Sequence, residues 1–294
     1  MSKSASLARV GLAYLIALMA ATVWLAWGPD AEWLWLDALI ADLIATAVIF
    51  VASRIHRNSS FYDAYWSVLP PYFVVFWLLA SETAGVDEPR SILLTIVVFV
   101  WAIRLTGNWI HDWAGMQSED WRYPMLRERA GKAELIVDLV AIHLVPTLIV
   151  FGALVPAYAV LERPGEDLNW VDGVALVVGL GAPWLQLVSD AQMRRFIRDR
   201  QPGQAMDQGL WAWSRHPNYF GEISFWFSLA IFAIAGAPSD WWWLLLGPIA
   251  MTAMFLGASI PMMEKRSLER RPTYQGVIDR VPMLVPRPPR RPRR

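Results

Sequence analysis

The chain has 294 residues, of which 56% are hydrophobic and only 18% are charged. Soluble domains carry about a quarter charged residues, so this composition excludes an ordinary soluble protein and indicates a membrane protein. Cysteine is absent, which excludes disulfide frameworks, thiolate metal sites, iron–sulfur clusters and cysteine nucleophiles.

Apolar windows follow one another along the chain, each near the roughly 20 residues that a membrane-spanning helix requires. They lie at about 8–27, 33–53, 66–82, 91–109, 135–161, 170–189, 222–237 and 241–262. The predicted fold class is therefore an all-α polytopic membrane protein with about eight transmembrane helices. Pro70-Pro71 and Pro146 predict a kink or break in the third and fifth helices.

Positive charge is confined to one set of loops. Every Lys and Arg except Arg90 and Arg163 falls there, whereas the opposite loops, such as 81–89 and 162–169, are mainly acidic. Because positive residues stay on the cytoplasmic side, we expect both termini to be cytoplasmic. We expect a single membrane domain over 1–286. The Pro- and Arg-rich segment 287–294 predicts a disordered basic tail, either bound to anionic lipid or simply solvated.

Polar residues continue into two predicted membrane helices. Asp190, Arg194 and Arg198 are spaced i, i+4, i+8, and Asn218 and Glu222 repeat the i, i+4 relation. Polar groups inside a membrane are costly to bury and are functional candidates, although helix capping or pairing among these residues also fits. Several arginines beside acids and an amide favour an anionic, donor-rich ligand such as a dinucleotide.

Other binding sites are disfavoured. Gly179-Leu180-Gly181 lies inside an apolar window and lacks the third glycine of a Rossmann fingerprint. His56, His111 and His216 share no metal-binding spacing, so no metal is expected, and His143 is predicted to be a hydrogen-bonded packing residue. The basic tail lacks interleaved aromatic residues, so no nucleic acid partner is expected.

One motif carries a family resemblance. Residues 214–222, Ser-Arg-His-Pro-Asn-Tyr-Phe-Gly-Glu, preceded by Gly-Leu-Trp at 209–211, resemble the signature of bacterial DUF1295 proteins, which belong with the steroid 5-alpha-reductases. Weaker support comes from Asn108-Trp109, residues 119–123 and Glu264. The resemblance covers roughly 55–286, leaving the first helix as an addition to a seven-helix reductase core.

The resemblance implies an NADPH-dependent reductase that transfers hydride to the β-carbon of a conjugated enone in a lipophilic, steroid-like substrate. It would take this substrate from the bilayer at the cytoplasmic side of a bacterial-type inner membrane, with membrane lipids as its surroundings. The cofactor residues implied are Arg104, Asn108, Arg122, Tyr123, Asp190, Arg194, Arg198, Arg215, His216, Asn218, Tyr219 and Glu222.

The catalytic residues implied are Tyr62, Asp63 and Tyr65. Trp101 stands where the steroid enzymes have a tyrosine, and an indole is no proton source near neutral pH. Either Tyr62 or Tyr65 then supplies the proton, or the substrate is not a steroid enone. The family's tyrosine-arginine pair before the Gly-Leu-Trp position has no match in 201–206, where Arg200 is the nearest replacement, so the choice between NADPH and NADH stays open.

Two other functions fit parts of the sequence. Arg215-His216-Pro217 and Glu264 also resemble the isoprenylcysteine carboxyl methyltransferases, which use S-adenosylmethionine but generally lack the combination of Asn218 and Glu222. A non-enzymatic lipid transporter or scaffold is the third reading. A transporter needs polar groups near mid-membrane, whereas here they gather on one side.

Overall fold

The computed structural model describes residues 1–29, 31–80 and 88–288, and within them the chain is helical without β-strands, which confirms the all-α class. Of the predicted acidic loop 81–89, residues 81–87 lie outside the described residues. The α-helices are α1 (Lys3–Trp27), α2 (Leu34–His56), α3 (Tyr65–Ala80), α4 (Glu88–Asp112), α5 (Arg122–Ala130), α6 (Glu134–Val137), α7 (Val145–Glu162), α8 (Trp170–Asp199), α9 (Pro217–Gly236), α10 (Trp241–Leu244), α11 (Leu246–Met254), α12 (Ile260–Arg270) and α13 (Gln275–Arg280). Short 3₁₀ turns cover Ser59–Phe61, Gly131–Ala133, Gly209–Ala212, Pro238–Asp240 and Pro272–Tyr274, and π-helices cover Asp138–Leu144 and Phe255–Ser259.

Seven helical stretches in the described part are long and apolar enough to cross a membrane. Large apolar side chains on these stretches face outward, including Ile103 at 70% exposure and Val177 at 74%. A bilayer accepts such a surface and water does not. The chain is therefore a multi-pass membrane protein. The third predicted span forms α3, which has 16 residues; its crossing and the cytoplasmic termini stay predictions.

The prolines act differently in the two helices where we expected a kink or break. Pro70 and Pro71 lie within α3, which continues past them to Ala80. They are the sixth and seventh residues of α3, so each leaves one carbonyl of the first turn without its intrahelical donor while the helix continues. Before Pro146, the π-helix Asp138–Leu144 makes wider turns, and the Val145 N–H bonds to the carbonyl of Val140. This change of bonding takes up the proline without ending the helix.

The chain divides into two compact units, Met1–Gly165 and Glu166–Arg294. In the first unit, α1 packs on α2, and α3 packs on α4 and α7. In the second unit, α8 and α9 form the most extensive helix pair. Gly221 permits their close approach, because a Cβ there would lie 2.7 Å from Gln186 Cγ and 3.0 Å from the Ala182 carbonyl oxygen. The single domain over 1–286 stays a prediction.

The start of the predicted tail is held by hydrogen bonds. The Arg287 N–H donates to the Trp213 carbonyl at 3.0 Å, and the Ser214 hydroxyl donates to the Leu284 carbonyl at 2.7 Å. Arg287 itself is thus bonded to the segment before α9, and the disordered tail predicted at 287–294 stays a prediction. The remainder from 289 onward lies outside the described residues.

Candidate functional site

The α8–α9 pair brings together polar residues from two predicted cofactor segments. Asp190 lies near the end of α8, and Asn218 is the second residue of α9, directly after Pro217. The Asn218 side-chain amide donates to the Asp190 carboxylate over 3.3 Å, and both residues are half-buried. The pair presents an acceptor and an amide at one place.

Glu222 lies one turn further along α9 and is only 4% exposed. Its two carboxylate oxygens accept hydrogen bonds from the Trp226 indole N–H, at 2.9 Å, and from the Gln186 amide. Neither donor is among the predicted site residues. Spacing was the available signal, because Gln186 is four residues before Asp190 and Trp226 is four residues after Glu222, which places each on the same helix face. The structure thus joins three predicted cofactor residues, Asp190, Asn218 and Glu222, in one polar seam between α8 and α9.

Arg215 and His216 converge on Glu264 of α12. Arg215 Nε donates to the Glu264 carboxylate at 2.6 Å, and His216 Nε2 lies 3.1 Å from the same oxygen. Arg215 Nη1 also donates to the carbonyls of Val281, at 2.6 Å, and Ile278, at 3.1 Å. The guanidinium predicted to bind cofactor is instead occupied by the protein, because its fork of donors matches a carboxylate and nearby carbonyls. In this structure Arg215 holds the segment 278–281 against α12, and its cofactor role stays a prediction.

The other predicted cofactor residues of the second unit differ in how far they are exposed. Tyr219 stacks on His216 with ring centroids 5.5 Å apart. Arg194 is half-buried, whereas the Arg198 side chain is 74% exposed and its Nε donates to Asp199 at 3.2 Å. Each step of four residues turns about 40° around a helix, so Arg198 points well away from Asp190. Arg198 therefore lies at the surface away from Asp190, and its cofactor role stays a prediction.

A cleft of about 540 Å³ lies beside the end of α8. Phe196 and Met206 give it an apolar wall, packed with Trp211. The Gly-Leu-Trp segment is bound to α8, because Gln192 accepts the Leu210 N–H at 2.9 Å and the Trp211 indole donates to the Ser189 carbonyl at 3.0 Å. A volume of this size suits a small organic ligand. The cleft is lined by Gln192, Arg195, Phe196, Asp199, Arg200, Gln204, Met206, Gln208 and Gly209.

In the first unit, Tyr62 and Tyr65 belong to a buried polar network. The Tyr62 hydroxyl pairs with Thr147 at 2.8 Å, and the Tyr65 hydroxyl donates to the Asp42 carboxylate at 3.0 Å. The residues are 3% and 1% exposed. Polar groups in an apolar interior need such partners. Both hydroxyls therefore hold buried segments together in this structure, and the prediction that one of them supplies a proton stays a prediction.

Asp63 differs from its tyrosine neighbours because it is half-buried and receives the Tyr123 hydroxyl at 2.6 Å. Burial raises the pKa of Asp63 from 3.8 to about 6, and the hydrogen bond from Tyr123 only partly offsets this rise. The predicted catalytic Asp63 and the predicted cofactor residue Tyr123 thus form one proton-holding pair.

The remaining first-unit predictions are also placed. Arg122 makes two bonds of 2.9 Å to Asp120, so the protein already occupies this guanidinium, as at Arg215. Arg104 and Asn108 lie one turn apart on α4 and are half-buried. Trp101 is fully buried, with its ring 5.9 Å from that of Trp66. It is a core residue.

His143 is fully buried, with one ring nitrogen 3.1 Å from the Ser53 hydroxyl and the other 2.8 Å from the Asp138 carbonyl. This confirms its predicted packing role. Within 1–29, 31–80 and 88–288, the acidic and histidine side chains form no cluster arranged to hold a metal ion. The absence of a metal cofactor stays a prediction.

Comparison with known proteins places the chain in a family. The family profile described as "Protein of unknown function (DUF1295)" matches residues 49–281. A Schizosaccharomyces pombe protein recorded as "Uncharacterized protein C594.04c" is 24% identical over 271 residues, which cover 85% of this chain and 78% of the yeast protein. No solved structure matches. The chain belongs to the DUF1295 family.

Proposed function

We propose that this DUF1295 protein is an NADPH-dependent membrane reductase acting on a conjugated carbon–carbon double bond. Its substrate class would be a lipophilic, steroid-like enone from the bilayer, and the reaction would face the cytoplasm of a bacterial-type inner membrane. The observation that supports this proposal is the polar seam, in which Asp190, Asn218 and Glu222 meet on neighbouring helices.

The seam has the chemistry that a dinucleotide requires. Asp190 can accept hydrogen bonds from ribose hydroxyls, while the Asn218 amide offers both a donor and an acceptor. Glu222 is held by two neutral N–H donors and keeps the start of α9 and the facing turn of α8 in register. NADPH, when bound, supplies a hydride to the β-carbon of the enone. Donors aimed at the enone oxygen contribute on the order of 3 kcal/mol each.

Proton supply is a separate part of the proposal and concerns the first unit. Tyr62 and Tyr65 keep the role of proton donor first predicted for them, and the pair Tyr123–Asp63 is a further candidate, since Asp63 holds its proton to about pH 6 and Tyr123 donates to it. The Tyr62 and Tyr65 hydroxyls stay in their buried network.

The first test is ligand-induced stabilisation of the purified full chain in detergent. NADPH at 100 times its dissociation constant should stabilise the fold by about 2.7 kcal/mol. Asn218→Ala should weaken NADPH binding at least about tenfold, which corresponds to the loss of one or two ligand-facing hydrogen bonds. Glu222→Gln should weaken it indirectly, because it disturbs the hydrogen bonds from Gln186 and Trp226 that hold α8 and α9 in register. Ser224→Ala on the same helix is the matched control, because its hydroxyl only bonds the Phe220 carbonyl. Unchanged affinity in both seam variants would reject the proposal.

A lipid-extract screen that follows NADPH oxidation then identifies the substrate. The convergence of Arg215 and His216 on Glu264 favours the methyltransferase as the second candidate, since these are the residues shared with that family. Stabilisation by S-adenosylmethionine without NADPH or NADH would select it. Stabilisation by none of these three compounds would favour the transporter or scaffold.

A further inference from the structure

Three arginines of the second unit line one cleft. Arg200 follows α8, Arg270 ends α12 and Arg271 follows it, and together they border a cleft of about 360 Å³. We call it the arginine cleft.

These guanidinium groups have no protein partner anywhere in the described ranges: none makes a hydrogen bond or an ion pair. The Nε atom of Arg271 is buried without a hydrogen bond. Burial, together with the charges of Arg200 and Arg270, lowers the pKa of Arg271. Like charges held together and partly desolvated cost free energy, and an anion between them offsets that cost.

The cleft is held by specific backbone structure. The Thr273 hydroxyl donates to the Gly203 carbonyl at 2.6 Å, which joins the loop after α8 to the segment after α12. Gly203 has φ of +81°, in the left-handed region that favours glycine, and the Gln204 N–H closes the turn onto the Gln201 carbonyl at 3.1 Å. This turn keeps Arg200 beside Arg271 although 70 residues separate the bonded segments.

We propose that the arginine cleft binds a phosphate group carried by a larger ligand. Guanidinium forks match phosphate oxygens, and three of them can neutralise a dianionic phosphate. Arg200 lines both this cleft and the 540 Å³ cleft with the apolar wall of Phe196 and Met206. A phosphate in the first can therefore belong to a ligand whose apolar or aromatic portion lies in the second.

Two sources share this chemistry, a nucleotide phosphomonoester and a lipid headgroup. If the proposed reductase function holds, the nucleotide is NADPH and the phosphate is the one that NADH lacks. Only this last assignment rests on the proposed function; the phosphate site itself does not.

The test measures binding to the full chain in detergent with three probes: inorganic phosphate, adenosine 2′,5′-bisphosphate, and mixed micelles that contain phosphatidic acid, compared with phosphatidylcholine. Arg200→Gln and Arg271→Gln should weaken binding of the recognised phosphate probe at least about tenfold, the loss of a charge-assisted pair. Arg129→Gln is the matched control, since Arg129 is an exposed arginine on α5 in the first unit. Unliganded melting temperatures show that each variant is folded.

Each outcome decides the matter. Loss of adenosine 2′,5′-bisphosphate binding identifies a nucleotide, and loss of phosphatidic acid binding alone identifies a lipid headgroup. Wild-type protein that binds none of the three probes, or variants that bind like wild type, would overturn the site. Weaker NADPH binding with unchanged NADH binding supports both proposals, whereas phosphate binding without either dinucleotide would keep the site and reject the reductase.

Discussion

Arginines are treated in opposite ways in two regions of this protein. In the first unit, Arg54 bonds Glu134 and Asp138 at 2.8 to 2.9 Å, and Arg127 bonds Glu119 at 2.7 and 2.9 Å. In the second unit, the three arginines of the arginine cleft have no such partners in the part of the chain that the structure describes. The first arrangement satisfies buried carboxylates, whereas the second leaves like charges together at a cost that the proposed phosphate would offset.

The largest effect is expected where the paired network is most buried. Asp138 is 1% exposed and accepts from Arg54 and from the Ser59 hydroxyl at 2.7 Å. Asp138→Ala should lower the free energy of unfolding by about 3 kcal/mol, because it leaves the buried Ser59 hydroxyl without its acceptor and removes one partner of the partly exposed Arg54 guanidinium. Thermal unfolding in detergent measures this. Glu134→Ala removes the 38% exposed partner of the same arginine and should cost under about 1 kcal/mol. Equal losses of stability in the two variants would contradict the conclusion that burial makes Asp138 the more important partner.

Arg215 extends the comparison, because it is a paired arginine in the same unit as the arginine cleft. Arg215→Lys should cost about 2 kcal/mol, since lysine cannot reproduce the fork that joins Glu264 to two carbonyls. Faster proteolysis near residues 282–287 would report release of the chain end. Arg280→Lys, whose pair with Asp207 is 42% and 35% exposed, should change little. Similar losses of stability in both variants would contradict the role given to the Arg215 guanidinium in holding Glu264 and the two carbonyls together.

Asp63 is a half-buried acid whose partner is the neutral hydroxyl of Tyr123 and not an arginine. Its native pKa of about 6 lies above the usual 3.8, so the fold favours the protonated acid and loses stability as pH rises through this interval. The free energy of unfolding of Asp63→Asn should therefore exceed that of wild type by about 1–2 kcal/mol at pH 8, after allowance for solvent screening. This difference should shrink towards pH 4. Melting temperatures across pH measure it. Tyr123→Phe removes the offsetting hydrogen bond, so the loss of stability with rising pH should begin at a higher pH. A stability difference between Asp63→Asn and wild type that does not change with pH would refute the raised pKa of Asp63.

The smallest expected effect on stability is a gain and not a loss. Arg271→Gln should raise stability in phosphate-free buffer by up to about 1 kcal/mol, because it removes a desolvated like charge. The same variant should lose the extra stability that phosphate ligands give to wild type. Chemical or thermal unfolding, with and without phosphate ligand, measures both the gain in stability and the loss of stabilisation by the ligand. Destabilisation comparable to that of Asp138→Ala would show that Arg271 belongs to the structural network.

Much of the candidate seam was predictable from spacing. Asn218 and Glu222 lie four residues apart at the start of α9, Asp190 lies in the last third of α8, and the family resemblance named the same positions. Gln186 and Trp226 share those faces but are common residue types in apolar helices, so spacing alone did not single them out. Tyr62, Tyr65 and Arg122 were assigned to the site by motif position, and their protein partners became visible only with neighbouring segments in place.

Hydropathy and charge by themselves determined the all-α class, the membrane-spanning helices and the packing role of His143, since these depend on the local content of each segment. Only the tertiary structure decided which arginines are paired. Arg54 finds Asp138 at a distance of 84 residues, and Arg215 finds Glu264 at 49. Arg271 finds no carboxylate within the described residues. An ion pair requires contact between remote segments, and that contact is a property of the packed chain.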